Sequence, residues 1–439
     1  MKFYNRENEI KHLLDIQKYS TKNAQMTVVT GRRRIGKTQL LLKATKGQPT
    51  LYFFVVRKAE NFLCQDFAQE ITEKLNIPIL GEISSFGKLF EFLMTISKER
   101  PFNLIIDEFQ EFYNVAPSVY SDMQHYWDVN KDQSKINLLL SCSVNSLMHK
   151  IFQDSKEPLF GRATALLKVR PFATTVLKEI LADHNPNYEQ EDLLALYAFT
   201  GGVAKYVQLL MDSGSHTLSA MLDYIVKEDS TFLSEGKNML IEEFGREYAN
   251  YFTILSAIAR SENTRAKIEA VVNREVGGYL TKLEYDYNLI SKVTPIFSKV
   301  ETKNVRYVLE DNFLMFWFRF VYKYGYMVEI GGYEQLKEII MWDYPTFSGK
   351  ILERYFRTKY IEQKRFTRIG GYWNRKGENE IDLIAMNELK KTAEIVEIKR
   401  NSENINLDKL KEKSLHFCKA TGELVDYKIT QKGLSMKDM

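Results

Sequence analysis

Gly31-Arg32-Arg33-Arg34-Ile35-Gly36-Lys37-Thr38 decides the reading of this chain. It follows the apolar run Met26-Thr27-Val28-Val29-Thr30 and leads into Gln39-Leu40-Leu41-Leu42-Lys43. The pattern G-x-x-x-x-G-K-[ST] between a strand and a helix predicts a phosphate-binding loop. Its glycines let backbone N–H groups wrap phosphate oxygens, and the N-terminus of the following helix adds positive potential. Lys37 then reaches the β- and γ-phosphates, and Thr38 offers Mg²⁺ the hard oxygen ligand it prefers. The expected nucleotide cradle is therefore Gly31, Arg32, Arg33, Arg34, Ile35, Gly36, Lys37, Thr38 and Gln39.

About seventy residues on, Phe102-Asn103-Leu104-Ile105-Ile106-Asp107-Glu108 reads as a buried strand ending in two carboxylates. An acid pair ending a strand is often a solvated turn. Beside a phosphate loop, however, Asp107 is expected to hold the Mg²⁺ shell and Glu108 to orient the water that attacks the γ-phosphate. Thr50-Leu51-Tyr52-Phe53-Phe54-Val55-Val56 reads as a further buried strand, and Glu60 to Leu75 as a helix. Ile136 to Ser143 is another apolar run ending in small polar residues, where open α/β sheets bind ligands. Ser141 or Ser143 is placed to sense a γ-phosphate, with a plain turn as the competing reading. Ala165 to Val169 is the expected fifth strand.

The head Phe3-Tyr4-Asn5-Arg6-Glu7-Asn8-Glu9-Ile10, the phosphate loop and the Leu-Ile-Ile-Asp-Glu-Phe-Gln strand together resemble the archaeal-type AAA+/STAND ATPase family over essentially the whole chain. Similar proteins continue with the Pro158-Leu159-Phe160-Gly161-Arg162 segment and a Gly-Gly-x-Pro-x-Tyr element, here Gly201-Gly202-Val203-Ala204-Lys205-Tyr206. A winged helix and a C-terminal nuclease-like domain come next. The resemblance implies that the head packs beside the adenine and that Arg6 contacts the nucleotide. The chain departs from the pattern at Ser141-Cys142-Ser143, where Gly-Ser-Ser is usual, and at Ala204, where Pro is usual. Arg162 stands just before the fifth strand, from where AAA+ subunits send an arginine into a neighbour's site. That reading makes the protein a homo-oligomer; a surface salt bridge is the alternative.

The 439 residues suggest about three domains, and 44% hydrophobic content suffices for separate cores. The start lacks the apolar segment of a signal peptide, and no apolar run approaches membrane-spanning length, so a cytoplasmic protein without a membrane partner is expected. Cys64, Cys142 and Cys418 are widely separated, which fits a reducing compartment and argues against zinc.

Asp192 to Met211 reads helical around the glycine pair, and a helical lid is expected to about Glu235. Three short helices follow: Phe252, Leu255 and Ile258 line the first, Thr264 caps the second, and Leu280, Leu283, Tyr287 and Ile290 repeat along the third. With β-like segments at 290–297 and 305–309, this is a winged-helix order, as the resemblance implies. The third helix offers Lys282 against Glu284 and Asp286, a poor footprint for DNA phosphates.

Residues 331–439 hold 21 Lys+Arg against 17 Asp+Glu, so the chain's whole net charge of +4 lies there. Glu380 to Ala385 and Ala393 to Lys399 read as adjacent strands around a turn near Asn387. Period-two alternation puts Glu380 with Asp382, and Glu397 with Lys399. If the strands pair, Asp382 and Glu397 can hold a second Mg²⁺ or Mn²⁺ while Lys399 activates the attacking water. The arrangement resembles the PD-(D/E)XK nuclease core, with Glu353 on the preceding helix as a further acid and Ile381 where the motif has Pro. A solvated amphipathic hairpin is the bland alternative.

The expectation is an α/β protein: a P-loop ATPase core with a mostly parallel central sheet (1–180), a helical lid (181–240), a winged helix (241–330) and a C-terminal α/β restriction-endonuclease-like domain (331–439). ATP and Mg²⁺ are the expected cofactors. One functional reading couples ATP to metal-dependent processing of DNA. The other is a signalling or defence switch whose nuclease fold is an inactive module contacting a protein partner. Basic residues gathered around Asp382 and Glu397 would favour the first.

Overall fold

The five apolar runs of the first 170 residues pair as one all-parallel sheet in the order β2-β3-β4-β1-β5. The strands are β1 (Gln25–Thr30), β2 (Thr50–Phe54), β3 (Phe102–Asp107), β4 (Ile136–Cys142) and β5 (Ala165–Lys168). Every residue of β1, β3 and β4 is buried, which is why these strands read as continuous apolar runs instead of alternating ones. β5 lies at the edge, and its burial alternates. The helices Lys37–Ala44 and Glu60–Leu75 follow β1 and β2.

The computed structural model describes residues 1–79, 81–374 and 377–439. They fold as two compact units, Asn5–Arg170 and Met1–Tyr4 with Pro171–Met439. In the first unit, one side of the sheet packs on an aromatic cluster. Phe53 stacks on Phe67 with ring centroids 4.2 Å apart, and Phe86 meets Phe112 at 4.6 Å. Each such fully buried ring is worth roughly 1.5–3 kcal/mol of transfer free energy. Because β1 is flanked by β4 and β5, the sheet order reverses beside it, and the loops at the carboxyl ends of β1, β3 and β4 converge there.

Where the sequence suggested three further parts, residues 171–439 cluster as one unit with the first four residues of the chain. The glycine pair separates helices Gln190–Thr200 and Ala204–Asp212 as expected. Gly202 is required: its φ is +75°, and a Cβ there would lie 2.8 Å from the Phe172 carbonyl oxygen. Ala204 takes the first position of its helix, where proline's missing N–H would not matter, so alanine keeps the same start. Helix Thr231–Phe244 runs past both expected lid ends, Glu235 and residue 240.

Helices Tyr248–Ala259 and Arg265–Val272 match the next two expected, but the third is Gly277–Thr281 continued by one π-helical turn, Lys282–Asp286. Ile290 does not end that helix. It opens β6 (Ile290–Val293), which pairs antiparallel with β7 (Arg306–Leu309).

Helix Tyr333–Glu362 then leads into a four-stranded sheet of order β11-β10-β9-β8. Its strands are β8 (Arg368–Trp373), β9 (Glu380–Asn387), β10 (Thr392–Ile398) and β11 (Lys428–Leu434), with helix Leu407–Thr421 before β11. β9 and β10 are antiparallel, as the sequence suggested, while β10 and β11 are parallel. Glu394 ties the helix to the sheet by accepting from Tyr360 Oη at 2.9 Å and pairing with Arg365 and Lys432. Glu362 accepts from the Thr174 N–H and hydroxyl, and Arg400 bridges Glu191 and Ser348. These polar ties hold residues 331–439 to the helices that follow residue 171.

Candidate functional site

The phosphate loop leaves the carboxyl end of β1 in a conformation that its residue types dictate. Gly31 has φ +146°, and a Cβ there would sit 2.7 Å from the Val169 carbonyl oxygen, so only glycine fits. Gly36, with φ +95°, is the N-cap of helix Lys37–Ala44. Arg34 is also left-handed, at φ +68°. A non-glycine residue there stores about 1–3 kcal/mol, strain that concentrates where backbone N–H groups must face a ligand. Ile35 is buried and locks the loop to the core, while Arg33 and Gln39 are exposed and Arg32 is half-buried.

Lys37 is buried, and its Nζ donates to the carbonyl oxygens of Gly31 at 2.8 Å and Arg32 at 3.3 Å. Burial pushes its pKa down, while Glu108 and Asp107 pull it back up. Thr38 Oγ1 donates to Asp107 Oδ2 at 2.6 Å, so the hydroxyl and carboxylate expected around Mg²⁺ meet although β4 lies between β1 and β3.

Sequence reasoning gave Tyr52 no part in this group. Its hydroxyl donates to the same Oδ2 at 2.9 Å, and burial, then Asp107, raises its pKa well above the ordinary value. The available signal was a tyrosine inside a buried strand whose register sets it beside Ile105, two residues before Asp107.

Glu108 takes left-handed backbone at φ +53°, which turns its side chain away from the strand. Gln110 Nε2 and Ser143 Oγ both donate to Glu108 Oε2, and the Ser143 N–H donates to Gln110 Oε1 at 3.3 Å. Of the two candidate serines, Ser143 thus meets the acid. Ser141 Oγ is buried with no hydrogen-bond partner among the described residues. Between them burial pushes the Cys142 thiol up to about 12, so it stays neutral.

The donor set fits a magnesium nucleotide: a backbone cradle closed to any Cβ, one buried ammonium, and a hydroxyl–carboxylate pair. Thr38 and Asp107 would hold Mg²⁺, which when bound neutralises charge on the phosphate oxygens.

Arg6 is buried in the same unit and bonds to Glu9 and, at 2.8 Å, to the Arg170 carbonyl oxygen. Arg162 forks onto Asp128, with its Nη2 at 2.7 Å, and also donates to the carbonyls of Pro158 and Phe160. Within one chain it therefore forms the salt bridge that was the alternative to a neighbour's site.

A second polar site lies within the Pro171–Met439 unit. Lys399 Nζ sits 3.7 Å from Asp382 and 3.8 Å from Glu397, so the predicted acids and lysine do converge. Asp382 accepts from the Ile398 N–H at 2.8 Å, and Glu397 from the Asn406 N–H at 3.0 Å. Burial raises the Asp382 pKa. Burial, then Asp382 and Glu380, pushes Glu353 up to about 8. Glu353 is exposed to water in the wall of an open cavity.

That cavity has a volume of about 1000 Å³. Among the described residues nine lysines and arginines line it against three carboxylates, Glu353, Glu380 and Asp382. Composition shows only a mild basic bias over 331–439, because three of these cations come from the 248–309 segment and the rest are spread over helices 333–362 and 407–421 and the C-terminal sheet. Among the described residues no group of three or more His, Cys, Asp or Glu is arranged to hold a metal. No helix among them is long and apolar enough to cross a membrane.

A family model described as an ATPase domain predominantly from Archaea matches residues 3–210, and one described as Archaea bacterial proteins of unknown function matches residues 317–413. The uncharacterized protein MJECL04 of Methanocaldococcus jannaschii is 30% identical over 407 residues, 90% of this chain and 87% of that protein. Among solved structures, the Walker-type ATPase PABY2304 of Pyrococcus abyssi is 20% identical with a TM-score of 0.54. The match covers 72% of this chain and 96% of that one. The ORC2 protein of Aeropyrum pernix is 15% identical, with a TM-score of 0.49 over 74% of this chain and 95% of that one. With an intact phosphate loop and paired acids inside the matched segment, the chain belongs to the family of MJECL04 and is a P-loop ATPase.

Proposed function

We propose that this ATPase couples its nucleotide cycle to metal-dependent processing of nucleic acid by the C-terminal domain. The ATPase core (1–180) and helical lid (181–240) form the motor. The segment 241–330 is a winged helix by its order of three helices and a hairpin. Residues 331–439 are a PD-(D/E)XK-like domain, by the convergence of Asp382, Glu397 and Lys399 next to Glu353. The observation that carries this reading is the charge of the cavity: nine cations against three carboxylates line its wall, the gathering of basic residues beside Asp382 that favours nucleic-acid processing. Two carboxylates suffice in this setting, because Mg²⁺ is commonly held by one or two carboxylates with water and the substrate's own phosphates.

The test is cleavage of single- and double-stranded DNA and RNA with Mg²⁺ or Mn²⁺, with and without ATP, against Asp382→Asn as control. Metal-dependent cleavage lost in Asp382→Asn is expected. If no nucleic acid is cut under any combination, the ATP-controlled switch with an inactive C-terminal module replaces this function.

A further inference from the structure

Helix Tyr333–Glu362 contributes Lys350, Glu353, Arg354 and Arg357 to the cavity wall. At about 100° per residue, Trp342, Thr346, Lys350, Glu353 and Arg357 fall within one sector of roughly 80°, so they form a single stripe along the helix. At the far end of that stripe Trp342 is 85% exposed, the largest side chain of the helix and one that contributes almost nothing to its core. A tryptophan in water on the face that lines a cationic cavity is chemically the partner of an unstacked base.

Resting on the proposed nucleic-acid function, we infer that the cavity takes a single strand, with Trp342 as a stacking platform outside its mouth. Chemistry argues for one strand: the bases of a duplex are already paired and stacked on each other, so only an unpaired base can lie on the exposed Trp342 ring. The charges supply the attraction: of the nine cations in the wall, Lys267, Arg306, Arg368 and Lys399 are shared with carboxylates, and the others track a phosphate backbone without reading sequence.

Spacing along the helix supplies the register. Trp342 lies 11 residues before Glu353, roughly 16 Å at about 1.5 Å per residue. That is about five stacked nucleotides at about 3.4 Å each. A base on Trp342 would therefore anchor a strand whose backbone continues past Lys350 to the carboxylates. Stacking on an aromatic face with cations along the backbone is how single strands are held with little sequence preference.

The experiment measures fluorescence anisotropy of labelled 12-mers, oligo-dT, oligo-rU and a DNA duplex, on the full chain in EDTA so that nothing is cleaved. Both single strands should bind at least about tenfold more tightly than the duplex. Trp342→Ala should weaken single-strand binding about tenfold or more, and Trp342→Tyr should restore most of it. Trp342→Ala should leave the salt dependence unchanged, whereas Lys350→Gln should lower its slope by about one. ATP hydrolysis should be unaffected in the Trp342 variants.

Single-strand binding that needs Trp342 upholds the inference even if no cleavage is found, a result that removes only the nuclease reading. Cleavage of duplex that is indifferent to Trp342→Ala overturns the inference and leaves the nuclease reading in place. If no oligonucleotide binds at low salt, the inference fails and Trp342 marks a protein contact instead.

Discussion

Replacing Glu108 with Gln separates nucleotide binding from hydrolysis, and the geometry sets the size of the effect. Gln110 Nε2 and Ser143 Oγ both aim donors at Glu108 Oε2. A carboxamide can turn its single oxygen to that pair and keep both bonds, exchanging a charged acceptor for a neutral one at a cost of about 1 kcal/mol. Its other terminus becomes an NH₂ group that cannot take a proton or orient water as an acceptor. A positioned base contributes typically about 10²–10⁴-fold. At about 1.36 kcal/mol per decade this is roughly 2.7–5.4 kcal/mol in the barrier. We expect kcat to fall by two to four decades in single-turnover phosphate release. The Kd for Mg·ATP by titration calorimetry should move less than about threefold, because Lys37, Thr38 and Asp107 are untouched. Turnover within threefold of the parent, or a loss of affinity as large as the loss of rate, would refute the assignment of Glu108.

Lys37→Ala should instead remove most nucleotide affinity, since it strips the buried cation from the cradle, and titration calorimetry should register no Mg·ATP binding at concentrations that saturate the parent. Gly31→Ala should lower stability by about 2–5 kcal/mol, through backbone strain at φ +146° and a Cβ driven against the Val169 carbonyl. A thermal melt checks this, and an unchanged Tm would contradict the loop geometry. If Arg162 leaves Asp128 to serve a neighbour, mixing Arg162→Ala with Lys37→Ala should restore part of the activity, whereas concentration-independent turnover and inactive mixtures would keep it as a salt bridge. Mn²⁺ or Mg²⁺ should raise the Tm of the full chain without nucleotide, and Asp382→Asn with Glu397→Gln should abolish that gain while ATP hydrolysis persists. A gain of equal size in the double variant would move the metal elsewhere.

The nucleotide-binding half was legible because its determinants are local. A strand, eight loop residues and a helix start fix one site, and full burial of β1, β3 and β4 makes their sequences continuous apolar runs. Errors came where helix and strand periods agree by chance. Ile290 reads both as the end of the Leu280, Leu283 and Tyr287 spacing and as the start of a β segment; only the second holds, because the helix ends in a π turn that shifts its register. Glu235 did not end its helix because nothing in Lys237 to Phe244 breaks one. The cationic cavity was illegible for a different reason. Its charges come from helices 265–272 and 333–362, from β6, β7 and β8, from Lys399 just past β10, and from helix 407–421, so a net count over 331–439 averages them away.

Asp107 illustrates what a motif alone leaves open. In the sequence, an Asp-Glu pair ending a strand is equally a magnesium ligand and a solvated turn. In the fold Asp107 is buried and its carboxylate is engaged at both oxygens: Oδ1 accepts from the Glu108 N–H at 3.0 Å, and Oδ2 from Thr38 and Tyr52. A solvated turn would leave at least one oxygen to water. These bonds also hold the acid in a fixed orientation before any cation arrives, so binding Mg²⁺ requires little reordering of Asp107 itself. Tyr52 can keep its bond throughout, because its single donor competes for only one lone pair of Oδ2. The same bond that excludes the turn reading thereby ties β2 to the site, a connection with no trace in the phosphate-loop pattern.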